Sequence, residues 1–229
     1  MIRISLAAST AAFILAAPAM AESRDYDVSS FDGIEVSAGI DVNFETGGGQ
    51  SVSVENKDGN FDDIIVEVRG GKLVLKRPRQ IGWGKRPRYA VTVSAPILSS
   101  VEVSSGADAI GSGLSGEQVR IETSSGADAD ITGIDAVNVS LASSSGSDLN
   151  ASGTCDGVTA DSSSGSDIEA GDLHCRIGAA DASSGSDITI YASESVSADA
   201  SSGADIDVLG GPTDADIDKS SGGSVHIRS

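Results

Sequence analysis

The sequence predicts an all-β fold: a short-coil parallel β-helix of about 20 residues per coil, covered on its N-terminal side by strands and hairpins. Three observations carry this. The first is the repeat Ser-Ser-Gly-(Ala/Ser)-Asp, which begins at Ser104, Ser124, Ser144, Ser163, Ser183 and Ser201. Its glycines, Gly106, Gly126, Gly146, Gly165, Gly185 and Gly203, recur every 18 to 20 residues, and a fixed period of that size marks a solenoid. The second is apolar alternation at period two with β-branched residues, the pattern of half-buried strands. The third is that no stretch after residue 21 shows helical periodicity.

Taken in order, Met1-Ile2-Arg3, an Ala-rich apolar run and Ala19-Met20-Ala21 form a secretory signal peptide over residues 1–21. The mature chain is expected to start near Glu22, without a lipid anchor, since no cysteine follows the cleavage point. No later run is long and apolar enough to span a bilayer as a helix. Residues 22–100 read as a strand and hairpin part of the same continuous domain, 22–229. Ile34 and Val36 alternate, as do Ile40, Val42 and Phe44, then Val52 and Val54, then Ile64, Val66 and Val68. Gly70-Gly71 suits a tight hairpin. Between the strands ending at Leu75 and starting at Tyr89 lies a loop with 6 of the 14 basic residues left after the signal peptide, and the only tryptophan. Lys76, Arg77, Arg79, Trp83, Lys85, Arg86 and Arg88 form a candidate anion-binding finger, with arginines for phosphate or carboxylate and Trp83 for stacking. The competing reading is a solvated loop, or one docked on the chain's own acidic repeats.

Residues 101–229 are expected to be the β-helix repeats. The inward set is Val101, Val103, Ser105, Ala107 and Ala109 in the first copy, with Val137, Val139, Leu141, Ser143, Ser145, Ser147 and Leu149 in a later one. Ser105, Ser125, Ser145, Ser164, Ser184 and Ser202 are expected to stack inside as a hydroxyl ladder. Leu173, Cys175 and Ile177 are odd-numbered where Ala180 and Ala182 are even, so a bulge must lie between them. The outward set holds Asp108, Asp128, Asp148, Asp167, Asp187 and Asp205, flanked by Glu102, Glu122, Asp161, Asp181 and Asp199. This assignment assumes extended glycines. A single positive φ at each glycine would turn the aspartates inside. Cys155 and Cys175 lie one period apart, which places them on neighbouring coils about 4.8 Å apart, within reach of a disulfide in an oxidising compartment. Buried free thiols and, with His174, a metal site are the alternatives.

A hexapeptide left-handed helix lacks its six-residue subrepeat here, and a calcium-binding nonapeptide roll lacks its nine-residue spacing. The residues resemble a known family, the head GIN domain of auto-transporter adhesin-like bacterial proteins, a domain of unknown function. The resemblance rests on Phe31-Asp32-Gly33-Ile34-Glu35-Val36, Ile40-Asp41-Val42, Gly71-Lys72-Leu73-Val74-Leu75, Val91-Thr92-Val93-Ser94-Ala95-Pro96 and the Ser-Gly-(Ala/Ser)-Asp series. It implies a right-handed parallel β-helix-like fold in an exported protein, periplasmic or on the cell surface, with no established catalytic residues.

Charge narrows the partners. Formal net charge is −19, and residues 101–229 hold 22 acidic against 4 basic residues. Nucleic acid is therefore not an expected partner. An envelope, cell-surface or glycan ligand is expected for a non-catalytic solenoid. The aspartate row is either a solvated, aggregation-blocking face or a cation site, calcium being the candidate because it takes several oxygen ligands; no other cofactor is expected. A polysaccharide lyase or hydrolase has the least support, since the carboxylates are evenly spread and His174 and His226 are the only histidines.

Overall fold

The computed structural model describes residues 22–78 and 87–229. Every regular element among them is a strand. The head comprises β1 (Glu22–Asp25), β2 (Gly33–Ser37), β3 (Asp41–Thr46), β4 (Ser51–Asn56), β5 (Ile65–Arg69), β6 (Lys72–Lys76) and β7 (Tyr89–Ala95). The body comprises β8 (Ser100–Ser104), β9 (Asp108–Ser112), β10 (Ser115–Ser124), β11 (Asp128–Ser144), β12 (Asp148–Ser163), β13 (Asp167–Ser183), β14 (Asp187–Ala200), β15 (Asp205–Leu209), β16 (Asp214–Lys219) and β17 (Ser224–Ile227). From β8 onward, each coil pairs in parallel with the next at a spacing of about 20 residues: Ile121 faces Leu141, Val139 faces Val158 and Ala160 faces Ala180. The fold is a parallel β-helix-like solenoid.

The solenoid does not begin at Val101. β2 and β3 pair in parallel with β8 and β9, so residues 33–46 form two sides of a coil and its corner in the stack. On their other side β2 and β3 pair in parallel with β6 and β7. The chain thus lays its first coil, leaves to build the head, and returns to place β6 and β7 outside that coil before starting the repeats. The cover proper is antiparallel: β5 on β6, β4 on β7, and β1 on β4. These pairings occupy edges that would otherwise stay open.

The repeat motif makes the corner between the two strands of a coil. Ser105 and Gly106 both have positive φ, 58° and 67°, and the same pair recurs at 125/126, 145/146, 164/165, 184/185, 202/203 and 221/222, with Ala38–Gly39 as its head counterpart. Both residues of the pair point to solvent. The inner hydroxyl ladder expected at Ser105, Ser125, Ser145, Ser164, Ser184 and Ser202 is therefore absent, because these side chains are exposed. Two left-handed residues in succession, rather than one, restore the alternation, so Ala107 is buried and Asp108 exposed. A left-handed residue with a Cβ costs about 1–2 kcal/mol, and a small exposed Ser or Ala avoids the further cost of a β-branched or bulky side chain.

Hydroxyls do line the middle coils, one step either side of the corner. Thr123 Oγ1 donates to Ser143 Oγ at 2.9 Å, and Ser143 Oγ donates to the Ser147 carbonyl at 2.8 Å. Ser162 repeats this with the Ser166 carbonyl at 2.8 Å, and Ser186 Oγ reaches the Ser162 carbonyl at 2.9 Å. Each buried hydroxyl is satisfied, as burial requires. Elsewhere the interior is apolar and small, Val101, Ile121, Leu141, Ala160, Ala180 and Ala198 in the body, whereas Phe31, Phe44, Phe61 and Tyr89 fill the head.

Alternation fails on the third side of the coil, which joins one corner to the next. Val137 and Ile177, both expected inside, are 45% and 50% exposed. Register shifts fall between Ala170 and His174 and between Cys175 and Ile177, so the bulge lies just before Gly178, which is buried in place of Ile177.

Candidate functional site

Three surfaces carry chemistry. The first is the basic loop. Arg79, Trp83, Lys85 and Arg86 lie outside the described residues. Arg77 is not available to a ligand: its side chain is 4% exposed and paired with Asp63 at 2.9 Å. It also donates to the carbonyls of Ala38 (2.8 Å) and Pro87 (2.5 Å) and lies 4.9 Å over the Tyr89 ring. A guanidinium with these partners is a structural clamp holding the β6–β7 coil to the first corner. Lys76 pairs with Glu67 at 2.9 Å, a half-buried contact whose hydrogen bond holds the Glu67 carboxyl below its ordinary value. Arg88 is exposed and lines a hollow of about 330 Å³ with Asp41 and Asp108. This part of the loop lies against the chain's own acidic rows.

The second surface is a pair of carboxylate ladders. Asp41, Asp108, Asp128, Asp148, Asp167, Asp187 and Asp205 stand in register, each opposite the next. In-register residues of adjacent strands lie about 4.8 Å apart. Asp41 extends the expected row of six by one: it lies two residues after Gly39, as Asp108 lies two after Gly106. The flanking ladder runs Glu35, Glu102, Glu122, then Asp161, Asp181, Asp199 and Asp218, with Ala142 at its middle. Glu35 and Asp218 extend it at either end, each four residues before its corner glycine, as Glu102 is.

Between this second ladder and the corner serines runs an open groove of about 500 Å³, lined by Glu102, Glu122, Asp161, Asp181, Ser124 and Ser144 among others. Partial burial, then the neighbouring carboxylates, push Asp108, Asp148, Asp161 and Asp187 above the usual aspartate value. Arg88 partly offsets this at Asp108, and Arg120 does so at Asp161. Among the described residues, no three His, Cys, Asp or Glu side chains converge to hold a metal ion. The carboxylates stand in file rather than around a point.

The third surface lies on the side where alternation breaks. Cys155 and Cys175 are in register and joined by a disulfide, Cα–Cα 4.6 Å. Beside it His174 stacks on Tyr191, centroids 4.4 Å apart. Arg176 binds Glu194 through two nitrogens at 2.8 and 2.9 Å and lies 3.6 Å from Asp156. The hydrogen bonds to Glu194 hold the guanidinium pKa up and the Glu194 carboxyl down. The sequence offers His174 as a metal ligand or, with His226, as a catalytic histidine, and it does not single out Tyr191 by spacing. Its signal was compositional: a lone aromatic in a body of small residues.

The architecture and its ladders define the class, a short-coil β-solenoid that presents rows of side chains. Within that class the chain belongs to the family described as "Putative auto-transporter adhesin, head GIN domain", which matches residues 30–212. Solved structures share the fold, as three examples show. A "putative adhesin" from Bacteroides fragilis NCTC 9343 has a TM-score of 0.84 at 22% identity, covering 91% of this chain and 97% of that one. A "Putative lipid binding protein" from Parabacteroides distasonis ATCC 8503 has a TM-score of 0.69 at 19% identity, covering 91% and 97%. A "putative adhesin" from Parabacteroides merdae ATCC 43184 has a TM-score of 0.67 at 12% identity, covering 93% and 98%. No curated protein matches the chain. Among the described residues no helix is long and apolar enough to cross a membrane.

Proposed function

We propose that the protein is an exported, non-catalytic, adhesin-like β-solenoid that holds an envelope, cell-surface or glycan partner along its coils and needs no cofactor. Export rests on the signal-peptide pattern of residues 1–21 and places the protein in the periplasm or on the cell surface. The observation that supports the reading best is the form of the surface. Its polar side chains repeat in register over coil after coil, which suits an extended partner touched at many equivalent points. An adhesin-like family is consistent with this.

The test is retention. Residues 22–229, immobilised, should hold material from the envelope fraction of the source cells at physiological salt, while an unrelated acidic β-helix of similar charge should not. Equal retention by both would sink the reading. The non-catalytic part is tested with soluble polysaccharides: no new reducing or unsaturated ends should appear. Product release that stops in Asp148→Asn or Asp167→Asn would overturn it.

A further inference from the structure

Tyr191 is the only aromatic residue after Val101, and it is not in the core but half-buried on the outside. His174 faces it in register on one neighbouring coil and Leu209 on the other. The backbone is shaped to seat this row. A Cβ on Gly210 would fall 2.9 Å from the Tyr191 ring, and one on Gly171 would fall 2.9 Å from Leu209 Cδ1. Glycine at both positions lets the side chains lie against the chain. The result is a strip of imidazole, phenol ring and isobutyl group over three successive coils, about 10 Å long at the spacing of paired strands.

Alongside the strip runs a trough of about 460 Å³ that Leu209 borders, with Asn150, Glu169, Asp172 and Thr189 in its lining. Asn150, Glu169 and Thr189 stand opposite one another on successive coils, in an amide, carboxylate and hydroxyl sequence that supplies donors and acceptors. Arg176, two residues from His174, is paired with Glu194 and lies 3.6 Å from Asp156, so its positive charge is already matched by two carboxylates.

We propose that this strip and trough bind a glycan chain of neutral or amino sugars laid along the solenoid. The proposal rests on the envelope and glycan reading above and narrows it to one site. A pyranose ring has a C–H face and a rim of hydroxyls. The strip takes the face and the trough takes the rim, which is the division of labour of small-molecule sites, apolar walls with a few placed polar groups. Charge selects among sugars. Glu169 and Asp172 line the trough and Asp135 stands in register two coils before His174, all exposed, on a chain of net charge −19. A polymer of uronic acids meets like charge there, and an amino sugar meets opposite charge.

The experiment uses residues 22–229 labelled for NMR and titrated with three tetramers: β-1,4-linked N-acetylglucosamine, β-1,4-linked glucose and galacturonic acid. At least one neutral tetramer should shift the signals of His174, Tyr191, Thr189 and Leu209, and galacturonate should not. Tyr191→Ala should weaken that binding about tenfold, roughly 1.4 kcal/mol, while Tyr191→Phe keeps the ring and the affinity. Glu169→Gln, exposed and safe for folding, should weaken it through the trough. Silence with both neutral tetramers, equal binding of galacturonate, or unchanged affinity in Tyr191→Ala overturns the site. Envelope retention that survives in Tyr191→Ala would do so too, leaving the wider reading intact.

Discussion

The head and the body of this solenoid are held by different means. In the head, large side chains fill the interior: Phe31, Phe44, Phe61 and Tyr89. A buried Arg77–Asp63 pair, with Arg77 also bound to the Ala38 carbonyl, ties the end of β6 to the turn before β5 and to the first corner, and antiparallel strands close the end. In the body the interior is small, the corners are a repeated left-handed pair, and the exterior carries like charges in file. Stability in the head is concentrated in a few contacts that cannot be lost singly. In the body it is spread over many equivalent contacts, and the outer surface opposes the fold rather than supporting it.

This contrast is broken most directly at Arg77. Arg77→Met removes one member of a buried pair and leaves Asp63 and two carbonyls without their donor. We expect a loss of about 3 kcal/mol or more in denaturant unfolding, with the head melting ahead of the body in hydrogen exchange. A change below about 1 kcal/mol, the scale of surface pairs, would show that the clamp is solvated. In the body the one concentrated element is the disulfide. Cys155→Ser with Cys175→Ser should cost roughly 3 kcal/mol for a loop of this length, and dithiothreitol should reproduce the shift in the wild type but not in the double variant.

Two glycines sharpen the comparison further. Gly111 lies where head meets body, and a Cβ there would sit 2.3 Å from the Phe44 ring, so Gly111→Ala should lose about 1–3 kcal/mol through overpacking. Gly126 has φ +66°, and its nearest atom to a new Cβ is the Gly146 carbonyl at 4.0 Å. Space is therefore no obstacle, and Gly126→Ala should lose only the backbone term, about 1–2 kcal/mol. A larger loss at Gly126 than at Gly111, read from urea midpoints, would reverse the assignment of strain and packing.

Much of this was legible in the repeat. Period two and a spacing near 20 residues suffice to put Asp108, Asp128 and their successors on one outer row, because any corner that keeps the alternation gives the same result. The inside of the corner was not legible. Ser105 looks like any small inward residue, and only its φ of 58° shows that it belongs to the turn. The position of β2 and β3 was illegible for a different reason: nothing local says that β6 and β7 will be laid outside them. Val137 and Ile177 are hydrophobic without being buried, and at Ile177 a register shift next to Cys175 turns the side chain outward. Arg77 was counted with the basic loop by proximity in sequence, and its partners Asp63 and Ala38 are not sequence neighbours. Tyr191 left a signal in its rarity, not in its spacing.

The smallest and most diagnostic expectation concerns pH. Asp108, Asp148, Asp161 and Asp187 have raised folded-state pKa values, from partial burial and then from neighbouring carboxylates. A carboxyl raised on folding binds its proton more tightly in the native state, so its ionisation opposes folding. That penalty is absent below the ordinary carboxyl pKa of about 4. It grows as pH rises through the raised value and is constant above it. Glu67 and Glu194 act in the opposite sense: each is lowered by its cationic partner, supports folding above the ordinary value, and loses that support as pH falls through the lowered one. The ladder has the more members, so the body should gain thermal stability as pH falls from 7 to the ordinary carboxyl value of about 4, and the head should not. Asp148→Asn removes one charge between Asp128 and Asp167, and it should raise the melting temperature at pH 7 and leave it unchanged near pH 3. Molar sodium chloride should give much of the same rise in the wild type by screening the file, and millimolar calcium should add nothing beyond its ionic strength. A calcium-specific rise lost in Asp148→Asn would instead make the ladder a cation site and remove the charge penalty from the account of the body.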